Sequence, residues 1–133
     1  SVALTALQSG GVGVFDKTDG ALFTLPEATA STVGLYYDFV VQASIASGSY
    51  KIITGNAADF MVGSVFMDDS DTGLATTAQA ANGTTHVALT MAGTTTGGLA
   101  GAFIRMTCLS ATQWLVQGHI LHTGNVATPF ATS

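Results

Sequence analysis

Short apolar runs along the chain are separated by clusters of Gly, Ser, Thr, Asn and Asp. The clearest run covers residues 35–41, where apolar and aromatic side chains recur at every second position. A period of two is typical of a β-strand, because successive side chains point to opposite faces of the sheet. The side chains predicted to face a core are Leu35, Tyr37, Phe39 and Val41. The opposite face, which carries Tyr36 and Asp38, is predicted to be the wetter one.

A second clear pattern lies near the end of the chain. Residues 102–109 and 113–120 are two apolar runs joined by the short turn 110–112, which predicts an antiparallel hairpin. In the second run, the period of two puts Trp114, Val116 and Ile120 on one face. It puts His119 on the other face. We expect the tryptophan face to be the core face.

The complete pattern predicts an all-β chain of about eight strands, with helix-forming stretches absent and Gly frequent, at 16 residues. We predict a single antiparallel β-sandwich or small barrel that occupies residues 1–133 as one domain. Residues 1–11 and 124–133 are expected to be extended tails. Residues 68–85 are interpreted mostly as loop, with a weak helical turn as the alternative near 78–81.

The low charge restricts the classes of partner. Only 8% of the residues are charged, against roughly 25% in ordinary soluble domains. The cations are Lys17, Lys51 and Arg105, and the net charge is −5. This excludes the electrostatic footprint of a protein that binds nucleic acid or anionic lipid. Two interpretations remain, an oligomer that hides much of its surface or a monomer coated with Thr and Ser.

The lone Cys108 excludes an intrachain disulfide and a Cys-based zinc site, and we expect a buried, inert thiol. No apolar run approaches the roughly 20 residues that span a bilayer. The first residues lack a basic region followed by an apolar stretch, so no signal peptide is expected. A reduced thiol at Cys108 predicts assembly in a cytoplasm, and Ser1 fits the simple removal of an initiator Met.

An acidic cluster, Asp68, Asp69 and Asp71, precedes Gly73 and resembles the start of a calcium loop. A calcium loop of the helix–loop–helix kind needs a bidentate Glu at its twelfth position, and that position counted from Asp69 is Ala80. The pattern therefore fails. The interpretations left open are a solvated acidic loop and a weak site for a divalent cation.

The histidines and hydroxyl residues predict no catalytic machinery. His119 and His122 are three apart, which on a strand points them to opposite faces, so they are not expected to chelate one metal ion. His86 has no acidic or His neighbour in sequence. No Gly-x-Ser-x-Gly nucleophile elbow and no phosphate-binding glycine loop occur. We therefore expect no enzyme activity, no cofactor and no metal.

Four segments, in this order and spacing, resemble small virion modules of tailed bacteriophages, which include head decoration proteins and pieces of tail fibres. The segments are FTLPEA at 23–28, GLYYDF at 34–39, GGLAGAFIR at 97–105 and WLVQG at 114–118. The resemblance covers the chain from about residue 12 to 120. It implies an architectural module with no catalytic residues.

The resemblance implies a capsid decoration, or cement, protein that binds the outer head surface and stabilises the shell. The expected partners are the major capsid protein and two further copies of the chain, in a homotrimer. The expected location is the virion, after assembly in the host cytoplasm. A tail-fibre or receptor-binding module that recognises a host surface glycan is the alternative. A sandwich hydrolase is a distant third.

Both ends of the chain are candidates for docking on a partner, because each carries apolar side chains in a segment of small residues. The predicted interface residues are Val2, Leu4, Leu7 and Phe130. A segment of this kind buries little on its own, so it would need a permanent partner to offset the entropy lost on ordering. The alternative is that both tails fray.

Overall fold

The computed structural model describes residues 1–71 and 75–133, which form eleven strands and one short 3₁₀ turn at Ala6–Gln8. In chain order the strands are β1 (Val2–Ala3), β2 (Val12–Phe15), β3 (Ala21–Thr24), β4 (Tyr36–Val41), β5 (Tyr50–Ile53), β6 (Phe60–Asp69), β7 (Thr76–Asn82), β8 (Ala88–Met91), β9 (Phe103–Ser110), β10 (Gln113–His122) and β11 (Phe130–Ala131). The prediction of an all-β fold is confirmed.

The strands form two mixed sheets that are not closed into a barrel. The five-stranded sheet has the order β1-β3-β5-β8-β11, and the six-stranded sheet has the order β2-β4-β9-β10-β6-β7. The predicted antiparallel arrangement is only partly right, since β1–β3, β3–β5, β2–β4 and β6–β10 are parallel pairs. A period of two gives no information on strand direction, because both kinds of pairing present the same alternating faces.

The core lies between the two sheets, on the faces that the alternation predicts. Tyr37, Phe39 and Val41 of β4 are buried, and Leu35 packs against the core from just before the strand. The predicted hairpin of β9 and β10 is present, and Trp114 is fully buried with its two predicted face partners. These side chains are large and apolar, so their burial provides the main favourable term in folding.

The segment predicted to be mostly loop contains β7, a strand at the edge of the six-stranded sheet. The helical alternative near 78–81 is also wrong, because these residues continue the antiparallel ladder with β6. The sequence pattern did not predict this strand because β7 consists of Thr, Ala, Gln and Asn and has no alternation of hydrophobic and polar residues. Gly73, which follows the acidic cluster in the sequence, lies outside the described residues.

Each end segment of the chain contributes a strand of two residues to the five-stranded sheet. β1 pairs with β3, and Leu4 donates its backbone N–H to the Thr24 carbonyl at 2.8 Å. β11 pairs with β8, beside a hydrogen bond of 2.7 Å from Thr90 N–H to the Pro129 carbonyl. Strands of two residues carry no readable period, so only the pairing with a distant strand reveals them.

Candidate functional site

The N-terminal segment, residues 1–11, connects the two sheets. β1 belongs to the five-stranded sheet, and β2 belongs to the six-stranded one. The 3₁₀ turn between them is closed by Gln8, whose Oε1 accepts the Thr5 N–H at 2.8 Å and the Thr5 hydroxyl at 3.2 Å. Tyr37 donates its hydroxyl to the Thr5 carbonyl at 2.9 Å, and Gly10 N–H donates to the Tyr36 carbonyl at 2.7 Å. The segment is therefore held by both sheets.

An apolar groove of about 490 Å³ opens under this segment. The aromatic rings of Phe23, Tyr37 and Phe39 line its inner side, and Gly13 of β2 lies beside them. A Cβ on Gly13 would lie 2.8 Å from Phe39 Cδ1 and 3.1 Å from Phe23 Cζ. A glycine is needed here because the two rings approach the backbone too closely for any side chain. The groove volume is in the range of small-ligand pockets, roughly 300–1,000 Å³.

Three of the four predicted interface residues meet at this groove. Val2, Leu4 and Leu7 all line it; Leu4 is half-buried against the core, while Val2 is 45% and Leu7 97% exposed. Phe130, the fourth, is only 4% exposed, in β11. Its ring stacks on His86 with a centroid distance of 5.8 Å. The interface role predicted for Phe130 does not fit this position, because the five-stranded sheet has already buried the ring.

The groove is uncharged, and its lining combines apolar side chains with polar side-chain and backbone groups. Its lining includes no Asp, Glu, Lys, Arg or His. The Ser9 hydroxyl accepts the Tyr36 N–H at 3.0 Å, so its polar capacity is used within the fold. Tyr37 is the titratable side chain of the lining; burial raises the pKa of its hydroxyl, and nearby Cys108 adds to the rise. The groove suits an apolar side chain of a partner and provides no group for proton transfer near neutral pH.

The acidic cluster begins at the end of β6 rather than in a loop. The Thr76 hydroxyl donates to Asp68 Oδ1 at 2.6 Å, and His119 Nε2 lies 3.5 Å from Asp68 Oδ2. Asp69 Oδ1 accepts the Asp71 N–H at 3.0 Å. In residues 1–71 and 75–133, no group of three or more His, Cys, Asp or Glu side chains is placed to hold a metal ion.

The remaining sequence candidates are separated in space. His119 is exposed and His122 is buried, on opposite faces of β10 as the period predicts. His86 accepts the Asn82 N–H at its Nδ1, at 3.1 Å. Cys108 is buried, as predicted, and its thiol donates to the Ser110 carbonyl at 3.4 Å. None of these contacts brings a nucleophile and a base together.

An ion pair that the sequence analysis missed lies on the outer face of the six-stranded sheet. Arg105 binds Asp38 through two parallel hydrogen bonds, Nε to Oδ1 at 2.6 Å and Nη2 to Oδ2 at 2.8 Å. The register of β4 and β9 places the two residues directly opposite each other. The guanidinium also lies 4.6 Å from the centre of the Tyr36 ring, in a cation–π contact. The alternation places Asp38 on this face, but the cross-strand partner depends on register.

Asp59 is a second feature that the sequence did not reveal. The residue is 3% exposed, and its Oδ2 accepts the Ala28 N–H at 2.7 Å. Burial raises the pKa of the Asp59 carboxyl and nearby Glu27 adds to the rise, while the hydrogen bond from Ala28 opposes it. The carboxyl ties the start of β6 to the segment after β3.

This pKa shift predicts a pH-dependent stability. Because the pKa is higher in the folded state, the carboxyl stabilises the fold at a pH below its unfolded pKa, and this contribution disappears as the pH rises through the folded pKa. We expect the unfolding free energy of Asp59→Asn to increase relative to the wild type between about pH 3 and about pH 7. Urea unfolding over this range measures the difference. The exposed Asp19→Asn controls for the removal of one charge; a flat difference for Asp59→Asn would contradict the prediction.

Comparisons of the chain with protein-family models, with curated proteins and with solved structures found no match. In the described part of the chain, no helix is long and apolar enough to cross a bilayer.

Proposed function

We propose that this chain is a non-enzymatic capsid decoration protein of a tailed bacteriophage, which binds the outer surface of the head and stabilises the shell. The observation that carries the proposal is Leu7, a leucine with 97% of its surface exposed at the rim of an apolar groove. The assignment to a tailed bacteriophage rests on the order of the four sequence segments that resemble virion modules. The major capsid protein is the proposed partner, and the virion is the proposed location.

The geometry of the N-terminal segment favours permanent docking. Covering a leucine side chain contributes about 1.5–3 kcal/mol, and Val2 beside it adds to the apolar surface that a partner would cover. The segment is already held by hydrogen bonds to β3 and β4. Docking therefore does not require the ordering of a free tail, whose entropic cost would be about 1–2 kcal/mol per residue. The groove is a pre-organised surface.

A homotrimer is part of the proposal. Two observations support it. The chain has few charged residues, with three cations in 133 residues, and apolar side chains are exposed outside the groove. Three of the largest, Val14, Phe66 and Phe103, lie on the outer face of the six-stranded sheet. Apolar side chains grouped on one exposed face are common at surfaces through which proteins associate. Sedimentation of the free protein and of the protein recovered from particles measures the number of chains.

The decisive substitution for docking is Leu7→Ser. Because Leu7 packs little against the body, we expect the unfolding free energy of the variant to stay within about 0.5 kcal/mol of the wild type. We expect its affinity for purified heads that lack the protein to fall roughly tenfold to a hundredfold, because the serine cannot replace the apolar surface that leucine buries against the head. Deletion of residues 1–9 is less informative, since it also removes β1 from the sheet.

The matched control is Leu109→Ser, which removes an exposed leucine from β9 outside the groove. It should bind heads as the wild type does. Full occupancy of heads by Leu7→Ser, at the concentration that saturates the wild type, would refute docking through the groove.

A tail-fibre or receptor-binding module that recognises a host glycan is the second candidate function. The exposed Tyr36 beside the Asp38–Arg105 pair favours it, because an aromatic ring next to charged hydrogen-bonding groups suits a sugar. The guanidinium already covers one face of that ring, which leaves less of it for stacking. Quantification of the protein in purified virions separates the two functions. Copy numbers comparable to those of the capsid protein support decoration, and a few copies at the tail support a receptor-binding module.

A further inference from the structure

The six-stranded sheet ends in a long edge strand without the usual protection. β7 has seven residues, whereas β1 and β11, the edges of the other sheet, have two residues each. Edge strands are normally blunted by charge, Pro or short length, because their free backbone groups pair with other strands. β7 contains no charged residue and no Pro. Its only strand partner among the described residues is β6.

The free backbone groups of β7 can be assigned from the ladder with β6. Asp69 N–H donates to the Ala75 carbonyl at 3.0 Å, and Gly83 N–H donates to the Met61 carbonyl at 2.8 Å. Hydrogen-bonded pairs alternate in an antiparallel ladder, so the odd-numbered residues from 75 to 83 point their backbone groups at β6. The even-numbered residues of β7 point theirs away from β6. Asn82 N–H donates to His86 Nδ1 at 3.1 Å, so Thr76, Ala78 and Ala80 are the residues with backbone groups at the free edge. All three residues are exposed.

An exposed apolar row runs across the outer face of the same sheet and ends at this edge. The cross-strand partners in the row are Val14, Val40, Phe103, His119, Phe66 and Ala78. Val14, Phe66 and Phe103 are each more than 40% exposed. His119 lies on the ring of Phe66 with a centroid distance of 5.8 Å. The last member of the row, Ala78, is a small side chain that leaves the edge open to a neighbouring strand.

We propose that β7 pairs antiparallel with β7 of a second copy of this chain, about a two-fold axis at Ala78. In this register Thr76 of each copy lies opposite Ala80 of the other, and Ala78 lies opposite Ala78. Each hydrogen-bonded pair exchanges two bonds, so the three pairs form about six and satisfy every outward backbone group of these residues. The two apolar rows then join into one across a continuous sheet.

The distribution of charge favours a second copy in this orientation. The acidic residues near β7, Asp68, Asp69 and Asp71, all lie at its N-terminal end. An antiparallel pair places that end beside the turn 82–86 of the other copy, which carries His86 and no acidic residue. A parallel pair would bring the two acidic ends together. The small side chains of Ala78 and Ala80 also allow close approach of the two strands without a clash.

The contact does not depend on the proposed function. It is isologous, since the same surface is used on both copies, and it therefore produces particles with an even number of chains. If the homotrimer also forms, the β7 contact joins two trimers.

The test combines a cross-link with the particle mass. Under mild oxidation, Ala78→Cys should form a covalent dimer that reductant reverses, while Leu109→Cys, on an exposed position of β9, should not. Ala78→Lys places like charges opposite each other and should halve the sedimenting mass. Leu109→Lys, which adds the same charge away from the edge, should keep the wild-type mass.

Ala78→Pro provides a second disruption, because it removes an N–H that points at the free edge and not one that binds β6. If this variant fails to fold, as judged by circular dichroism, Ala78→Lys decides the test. The proposal is overturned if the wild type sediments as a single chain or an odd number of chains at micromolar concentration. It is also overturned if Ala78→Lys keeps the wild-type mass.

Discussion

Replacement of Trp114 by Ala is expected to lower the free energy of unfolding by about 3–5 kcal/mol, the range for large aromatic truncations in a core. Trp114 is fully buried on β10, and its ring centre lies 6.0 Å from that of Tyr37. β10 lies between β9 and β6, inside the six-stranded sheet. The truncation would leave a cavity in the layer between the sheets, where little relaxation is available.

Denaturant unfolding followed by far-UV circular dichroism measures this effect, since the chain has no other tryptophan to report fluorescence. Trp114→Phe is the matched control. The indole N–H meets no acceptor among the described residues, so Phe loses volume but also removes an unpaired buried donor. We expect Trp114→Phe to lower the free energy of unfolding by less than half as much as Trp114→Ala. A decrease below about 1 kcal/mol for Trp114→Ala would mean that the indole is not a core side chain.

The second large effect is expected for Gly118→Ala in β10. The backbone of Gly118 has φ +152°, and a Cβ there would lie 2.2 Å from the Phe103 carbonyl oxygen and 2.9 Å from Ile104 Cα. These are backbone atoms of β9, the antiparallel partner strand, so no side chain can move aside. The variant must shift one strand against the other. We expect it to be destabilised by about 3 kcal/mol or more, or to fail to fold.

Gly34→Ala separates the two causes of this destabilisation. Gly34 also has a positive φ, +91°, but nothing lies within 4 Å of the position of its Cβ. It therefore reports the backbone strain alone, about 1–2 kcal/mol. Equal decreases in unfolding free energy at the two positions, measured by the same denaturant titration, would show that the clash with β9 contributes nothing.

The outer face of the six-stranded sheet shows what the alternation of residues predicts and what it does not predict. Placing Tyr36 and Asp38 opposite the core face of β4 requires only the period of two, and the structure agrees. Asp38 is nevertheless largely covered, because Arg105 lies across from it on β9. The partner of a side chain on a sheet depends on the register of two strands that are distant in sequence. The pattern of residues within one strand does not specify that register.

For the candidate docking site too, the sequence predicts one part and the structure decides the rest. The sequence marks Val2, Leu4 and Leu7 as apolar anchors in a segment of small residues, and the structure places them around one groove. Phe130 meets the same criterion and is buried. The difference arises from the position of each residue in the fold, since Phe130 lies in β11 with its ring buried, while the turn after β1 leaves Leu7 in solvent. Apolar composition at a chain end marks a residue that must be covered, but not the surface that covers it.

Residue types and their spacing are enough to predict that this chain forms strands, which faces of β4 and β10 enter the core, and how little charge the surface carries. These properties depend on residue type and on a period of two, both of which are local. The packed fold was needed to show that the sheets are mixed, that the chain ends are strands, and that residues 76–82 form an edge. Each of these depends on backbone hydrogen bonds between strands that are separated along the chain. Backbone N–H and C=O groups are the same in every residue but Pro, so side-chain patterns do not specify which strands they join.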